Sequence, residues 1–460
     1  MVDVGLSMIV RDEARTLRRC LESVRGVVRQ IVIADTGSKD ETPQIAREYG
    51  AQVIEIPWED DFAKARNRAL APLSSEWVLS LDADEMLDPS AGTSINALAW
   101  DRRVAAYQVT IRNYMRSLED RIWDRPAIPN DTTLPEAQAY PAYVEHENVR
   151  LFRRHPAISF VGRVHESVGP SVEAAELKLG RANFLIHHFG LALEPETQER
   201  KNRFYRELGK LKILDMPRNA QAHLELGLLE LNNFGDLPKA LACFERACKL
   251  NPRFGIAWFF AGVTNIHREE YSAALRCLRE AERCGHATAA VAESLGDTYY
   301  NIGEFAESVE AYILALKRLP ESPQLESKLG FALGRTGAQE EALLRMTQAL
   351  LRQPRSGELH DRRITFLVWR ERIPEAAQAA EDKLRLVPNT SAGDFLRAAD
   401  LWAQRGNWAR ATAVLHVGLQ LHAGNELLLQ AFRELSAREG SDVNQLATAL
   451  QDSCTGRDQD

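Results

Sequence analysis

The feature that most constrains this chain is a recurrence in its C-terminal half. Gly227, Gly262, Gly296 and Gly330 follow one another at 34–35 residues, and Ile364 falls next in phase. Pro252, His286, Pro320, Pro354 and Pro388 recur every 34 residues. Ala240, Ala274, Ser308, Ala342 and Ala376 form a third series, and Phe244, Leu278, Tyr312, Met346 and Ala380 a fourth. A fixed period of this size describes a unit that cannot bury its apolar face alone and must stack on its neighbours. The pattern from about residue 217 is continuously helical, so each unit is a helical hairpin. Small residues let its two helices approach, and large ones fill the gap between them. A sixth copy near Ala399–His422 contains Ala411 and needs one insertion around Asn407. Asn425–Glu439 reads as a terminal cap, followed by a polar tail.

The first two hundred residues follow a different rule. Gly5–Val10, Gln30–Ala34, Gln52–Ile56 and Trp77–Leu81 are short apolar runs. Between them lie helical stretches: Leu17–Val24, Thr42–Tyr49 and Phe62–Leu70. Strands alternating with helices predict a parallel sheet covered on both faces. In such sheets ligands bind beyond the carboxyl ends of the strands. Three polar clusters stand at those ends: Arg11-Asp12-Glu13, Asp35-Thr36-Gly37-Ser38 and Asp82-Ala83-Asp84-Glu85.

The third cluster carries the most chemistry. In an extended segment, Asp82 and Asp84 direct their carboxylates to one side. Two hard oxygen ligands with room for water and phosphate oxygens suit Mg²⁺ or Mn²⁺. A lone D-x-D also describes a solvated acidic turn, but a position after an apolar strand in a βαβ series favours a site. A phosphoryl-transfer reading, with the first Asp as nucleophile, fits poorly because the motif follows the fourth strand and Met86 holds the fifth position.

Several segments together resemble the inverting glycosyltransferases of family 2, which have the GT-A fold. They are SMIVRDEARTLRRCLESV, ADTGSKDETPQIAREYGA, FAKARNRAL and WVLSLDADE, in the family's order over roughly the first 90 residues. NVRLFRR, FVGRVHE and LIHHFG resemble the second half of a bacterial branch that often carries tetratricopeptide repeats behind the enzyme. The 34-residue recurrence resembles that repeat, and Trp258 and Tyr299 fall where it uses aromatics. The resemblance implies an α/β GT-A domain, Rossmann-like with a mostly parallel sheet, followed by an all-α tetratricopeptide-repeat solenoid with a concave face. The implied boundaries are 1–193 for the transferase, 194–216 for a helical connector, 217–423 for the repeats and 424–460 for the cap and tail.

Carried over by position, the resemblance assigns Ser7, Arg11 and Glu13 to the border of the nucleobase, and Asp35 to the base or ribose. Arg66 lies along the nucleotide, Asp82 contacts ribose or metal, and Asp84 binds metal. His188 completes the metal or diphosphate site, with His187 the alternative. Glu166 takes the position suggested for the general base. The implied donor is a nucleotide sugar, UDP-linked as a family expectation, and the implied cofactor is Mn²⁺ or Mg²⁺. Each residue also has a plainer reading: Asp35 as a turn cap, Arg66 as a surface helix residue, Glu166 paired with Arg163 or Arg150, His188 as an interior histidine. Residues 119–147, rich in Pro, read as an acceptor-facing loop.

Composition narrows the partners. A formal net charge of -8 argues against general nucleic-acid binding. No run of about 18 apolar residues is present for a membrane span. The six Cys match neither a zinc site nor a disulfide framework and read as buried thiols of a cytoplasmic protein. The acceptor is expected to be a peptide or protein held by the repeats. A lipid-linked glycan precursor and a non-catalytic repeat scaffold are the alternatives, and the repeats are also a possible homodimer surface.

Overall fold

The computed structural model describes residues 2–117, 120–122, 125–190 and 195–439. The polar tail and the boundary at 193/194 lie outside them. Two compact units divide the chain, Met1–Thr264 and Asn265–Asp460.

In the first unit, β1 (Val4–Val10), β2 (Gln30–Asp35), β3 (Gln52–Glu55) and β4 (Trp77–Ser80) pair in parallel in the order β3-β2-β1-β4. Helices α1 (Leu17–Ser23), α2 (Thr42–Glu48) and α3 (Phe62–Leu70) make the connections. The register sets Ser7 beside Val32 and Ser80. Leu6, Met8, Leu17, Leu21, Trp77 and Leu79 are fully buried, as expected of strands covered on both faces.

The parallel pattern stops at β4. Beyond it the sheet becomes mixed, because β10 (Ala142–Arg153) runs antiparallel to both β4 and β6 (Ala106–Met115). β11 (Leu179–His188) then pairs in parallel with β6, and β5 (Glu85–Leu87) closes that edge antiparallel to β11. The helices α4 (Ala91–Leu98) and α5 (Gly169–Ala174) flank this half. Residues expected as one long loop carry the short strands β7 (Arg121–Ile122), β8 (Arg125–Pro126) and β9 (Ile128–Pro129) and part of β10. β9 pairs with β10, which turns much of that segment into sheet rather than loop.

Helix α6 (Pro195–Asp215) leads to α7 (Ala220–Phe234), α8 (Leu237–Leu250) and α9 (Gly255–His267). The second unit continues with α10 (Tyr271–Arg283), α11 (Ala289–Ile302), α12 (Phe305–Arg318), α13 (Pro323–Arg335) and α14 (Gln339–Arg352). It ends with α15 (Gly357–Trp369), α16 (Ile373–Leu386), α17 (Ala392–Gln404), α18 (Trp408–Leu421) and α19 (Glu426–Glu439). The periodic series explain the hairpins. Ala240, Ala274, Ser308, Ala342 and Ala376 all have zero exposure. A Cβ at Gly227 would stand 2.5 Å from the Phe244 ring, and one at Gly296 2.6 Å from the Tyr312 ring. The two helices therefore touch through a missing side chain. In the fifth copy the sizes reverse: Ile364 and Ala380 are both buried, the large residue now on the first helix.

Candidate functional site

Past the carboxyl ends of β1 and β4 lies a cavity of about 610 Å³. Ile9, Val10 and Arg11 line it from β1, with Glu13 and Thr36 beside them, and Asp82, Ala83 and Asp84 from the loop after β4. Arg66 enters from α3, Asn148, Val149 and Arg150 from β10, and His188 from β11. Phe160, Val164, His165 and Glu166 complete that wall.

Local rules deliver each group. Asp61 caps α3 by accepting the Lys64 N–H at 2.9 Å. Ala63, Arg66 and Ala69 then share the buried side at helical spacing, so Arg66 is only 6% exposed despite its charge. Asn67 exchanges two hydrogen bonds with the Phe160 backbone, at 2.8 and 2.9 Å, and the Phe62 N–H donates to the Arg163 carbonyl at 2.9 Å. These bonds fasten the segment that carries Glu166 to α3. Val161 and Ser167 close it into a tight loop by reciprocal backbone bonds. His165, at the tip, has φ of 51°, a left-handed conformation uncommon for a side chain of that size. Asp12 beside Arg11 is similar at 56°, its carboxylate accepting the Lys39 N–H at 2.6 Å.

Five charges alternate through the floor. Glu166 accepts from Arg66 Nε, and Arg66 Nη2 donates to Asp82 at 2.5 Å. Arg150 Nη2 donates to the other Asp82 oxygen at 3.1 Å and to Glu85 at 2.6 Å. Glu85 accepts the Asp82 N–H at 2.8 Å. Burial works against charge on Asp82, but the two guanidiniums overcome it and hold this carboxyl well below the usual range. Burial pushes Glu85 up to about 7, against the pull of Arg150. The sequence offers Arg150 only as a partner for Glu166, and Glu85 only as a member of the acidic cluster. Arg150 sits at a bulge, where the pairing of β10 with β6 shifts between Val149 and Leu151. Four consecutive residues there, Val149 to Phe152, are buried.

Asp82 and Asp84 diverge. They lie in a turn, with the Glu85 N–H on the Asp82 carbonyl, and not in an extended strand end. Asp82 faces the arginines, while Asp84 Oδ2 meets His188 Nε2 at 3.2 Å. Asn113 Nδ2 donates to the Val144 carbonyl at 3.0 Å, which leaves Asn113 Oδ1 to accept from His188 Nδ1 at 2.8 Å. In the neutral imidazole that bond turns the Nε2 lone pair toward Asp84. A divalent cation would relieve these two facing acceptors, while a protonated His188 pairs with Asp84 directly. Among the described residues, no group of three or more His, Cys, Asp or Glu is placed to hold one, so Asp82, Asp84 and His188 do not form a ligand triad. His187 points to the other side of β11, buried between Tyr114 at 2.9 Å and Asp88 at 3.2 Å.

Two assigned residues stay outside the cavity. Ser7 is buried mid-strand, three residues before the end of β1, so Ile9, Val10 and Arg11 occupy the border in its place. Asp35 is 3% exposed and accepts the Gly37 and Ser38 N–H groups at 3.0 and 2.8 Å, as a turn cap does. Thr36 takes its place on the wall. Three further lining residues, Lys201, Asn202 and Tyr205, come from α6, and Leu229 comes from α7.

Residues 7–159 match the family model described as Glycosyl transferase family 2. The chain is 32% identical over 256 residues to a TPR repeat-containing protein of Synechococcus elongatus, covering 54% of this chain and 57% of that one. It is 23% identical over 272 residues to the SPbeta prophage-derived glycosyltransferase SunS of Bacillus subtilis, covering 54% and 58%. The chain thus spans under three fifths of the length of these relatives. Among solved structures, a tetratricopeptide repeat protein from Parabacteroides merdae aligns with a TM-score of 0.41 at 12% identity, over 52% of this chain and 94% of that one.

Proposed function

From an N-terminal domain of glycosyl transferase family 2, followed by tetratricopeptide-like helical hairpins, we propose an inverting, metal-dependent transfer of a sugar, a hexose or its derivative, from a UDP-linked donor to a peptide or protein. The observation that carries this reading is the convergence of Arg66, Asp82, Asp84, Glu166 and His188 on one cavity at the strand ends. Inversion needs a base on the side of the sugar opposite the diphosphate. Glu166 is the candidate. Arg66 engages its Oε1 and fixes its direction, and Oε2 takes the proton of the attacking acceptor. Asp84 and His188 would hold Mn²⁺ or Mg²⁺, which neutralises charge developing on the leaving diphosphate. The acceptor assignment rests on the hairpin array, a class of surface suited to an extended chain. Among the described residues no helix is long and apolar enough to cross a membrane.

A hydrolysis screen of nucleotide sugars, with and without Mn²⁺, tests the donor half. Turnover should require the metal. Asp84→Ala should abolish both turnover and metal-dependent nucleotide binding with an unchanged far-UV spectrum. Full activity of that variant, or activity in excess chelator, rejects the metal. Transfer to a lipid-linked glycan and not to any polypeptide rejects the acceptor.

A further inference from the structure

Helix α6 reads in the sequence as a polar connector, yet one of its stripes is committed to the first unit. Lys201, Tyr205, Leu208, Lys212 and Asp215 follow at spacings of four, three, four and three, one side of a helix. At the far end Asp215 pairs with Arg163, whose guanidinium also donates to the Asp60 carbonyl at 3.3 Å. One turn back, buried Lys212 donates to the Val164 carbonyl and to Glu225, each at 2.7 Å. Tyr205 then stacks on Phe62 at 6.0 Å and on His165 at 6.4 Å, and Phe204 rests on Trp58 at 5.9 Å. The helix is pinned along its last three turns to the loop that carries Glu166. The same stripe, continued toward the N-terminus, brings Tyr205 and Lys201 to the cavity.

The cavity needs what that stripe supplies. Its lining cations are Arg11, Arg66, Arg150 and Lys201, besides two histidines. Arg66 and Arg150 are already shared among Glu166, Asp82 and Glu85, three carboxylates to two guanidiniums. Glu13 and Asp84 add negative charge to the same wall. A diphosphate entering this space finds both guanidiniums already committed, so beside the divalent cation proposed above the cations open to it are Arg11 and Lys201. Among the described residues neither Arg11 nor Lys201 is held in an ion pair. The Lys201 ammonium lies 5.9 Å from the Tyr205 ring centroid and within electrostatic reach of Glu13.

We propose that α6 is a wall of the donor site and that Lys201 binds the donor through its phosphates. This rests on the sugar-transferase reading. It deepens that reading by placing a donor-binding cation outside residues 7–159, the span matched by the family model. Tyr205, packed between Phe62 and His165, sets the height of the helix above the cavity and so positions Lys201.

Calorimetry on the full chain tests the assignment with UDP, GDP, ADP and dTDP, and with the matching nucleosides, in Mg²⁺. Lys201→Gln should weaken the preferred nucleoside diphosphate by about 10–100-fold, the range for a lost charge-assisted contact. The nucleoside should bind as before, and Lys201→Arg should recover most of the loss. Lys210→Gln, which removes an exposed lysine paired with Glu207, should change nothing. Equal diphosphate binding by Lys201→Gln and the natural chain overturns the assignment and leaves the transferase reading intact. A loss shared by diphosphate and nucleoside also overturns it, since that marks a structural role. If the natural chain binds no member of the panel, the transferase reading falls first and this assignment falls with it.

Discussion

At the scale of single residues, the site is organised by what each charge is already bound to. Arg150 neutralises two carboxylates at once, and its side chain is 11% exposed. Removing one partner of a buried charge group costs about 3–5 kcal/mol, because the others stay behind uncompensated. Arg150→Met should therefore lower the stability of the first unit by about that amount in urea titrations, and Arg150→Lys by less. Glu166→Gln is a different kind of change. The amide oxygen still accepts from Arg66 Nε, so fold and donor binding should persist while transfer falls by about 10²-fold or more. Steady-state rates alongside donor titrations separate the two, and a collapse of donor affinity would place Glu166 in the donor site. Arg66, Asp82, Asp84, Glu166 and His188 were all legible in the sequence, because each falls in a segment with a recognisable neighbourhood. Arg150 and Glu85 were not, since their roles arise from a bulge and a turn that hydropathy does not record. Ser7 and Asp35 lie off the cavity wall for reasons that hydropathy does not carry: β1 runs three residues past Ser7, and the turn after β2 engages the Asp35 carboxylate.

At the scale of elements, the hairpins are closed by missing atoms. The obstacle facing a Cβ at Gly296 is the Tyr312 ring, whereas at Gly330 it is the Ala342 carbonyl oxygen at 2.8 Å. One obstacle is a side chain and the other is backbone, which makes the two glycines separable by experiment. Gly296→Ala should destabilise the second unit by about 1–3 kcal/mol as an overpacked core does. In the Tyr312→Ala background much of that penalty should vanish. Gly330→Ala should cost a similar amount, and Met346→Ala should not relieve it. Double-mutant cycles from urea unfolding read the contrast directly. Sequence periodicity located these positions because size alternates at a fixed interval. It could not locate the inward stripe of α6, where the pattern is written in Lys, Tyr and Asp and looks solvated. What holds that stripe is stacking of Tyr205 on the distant Phe62 and the pairing of Lys212 with Glu225 and of Asp215 with Arg163.

At the scale of the molecule, the first unit runs well beyond the α/β domain and takes in α6, α7 and α8. A chain ending at Met216 would strip Leu229 from the cavity and leave buried Lys212 without Glu225. It should be unstable by circular dichroism. A chain ending after His267 keeps every cavity-lining residue and should retain donor hydrolysis while losing most transfer to a polypeptide at low concentration. Unchanged transfer by that shorter chain would remove the repeats from acceptor capture. The repeats themselves are less uniform than their period suggests. In the fifth copy the bulky partner has moved across the hairpin, from the second helix to the first, as Ile364 and Ala380. Its two helices are therefore keyed to each other, and α15 is keyed to the fourth copy as well, where a Cβ at Gly334 would run into the Phe366 ring. A recombination event that joined α15 to the second helix of an earlier repeat would set Ile364 against a large residue, and the reciprocal joint would leave a void. Within this array the fifth hairpin is exchangeable only as an intact pair, and only behind a helix that leaves room for Phe366 as Gly334 does.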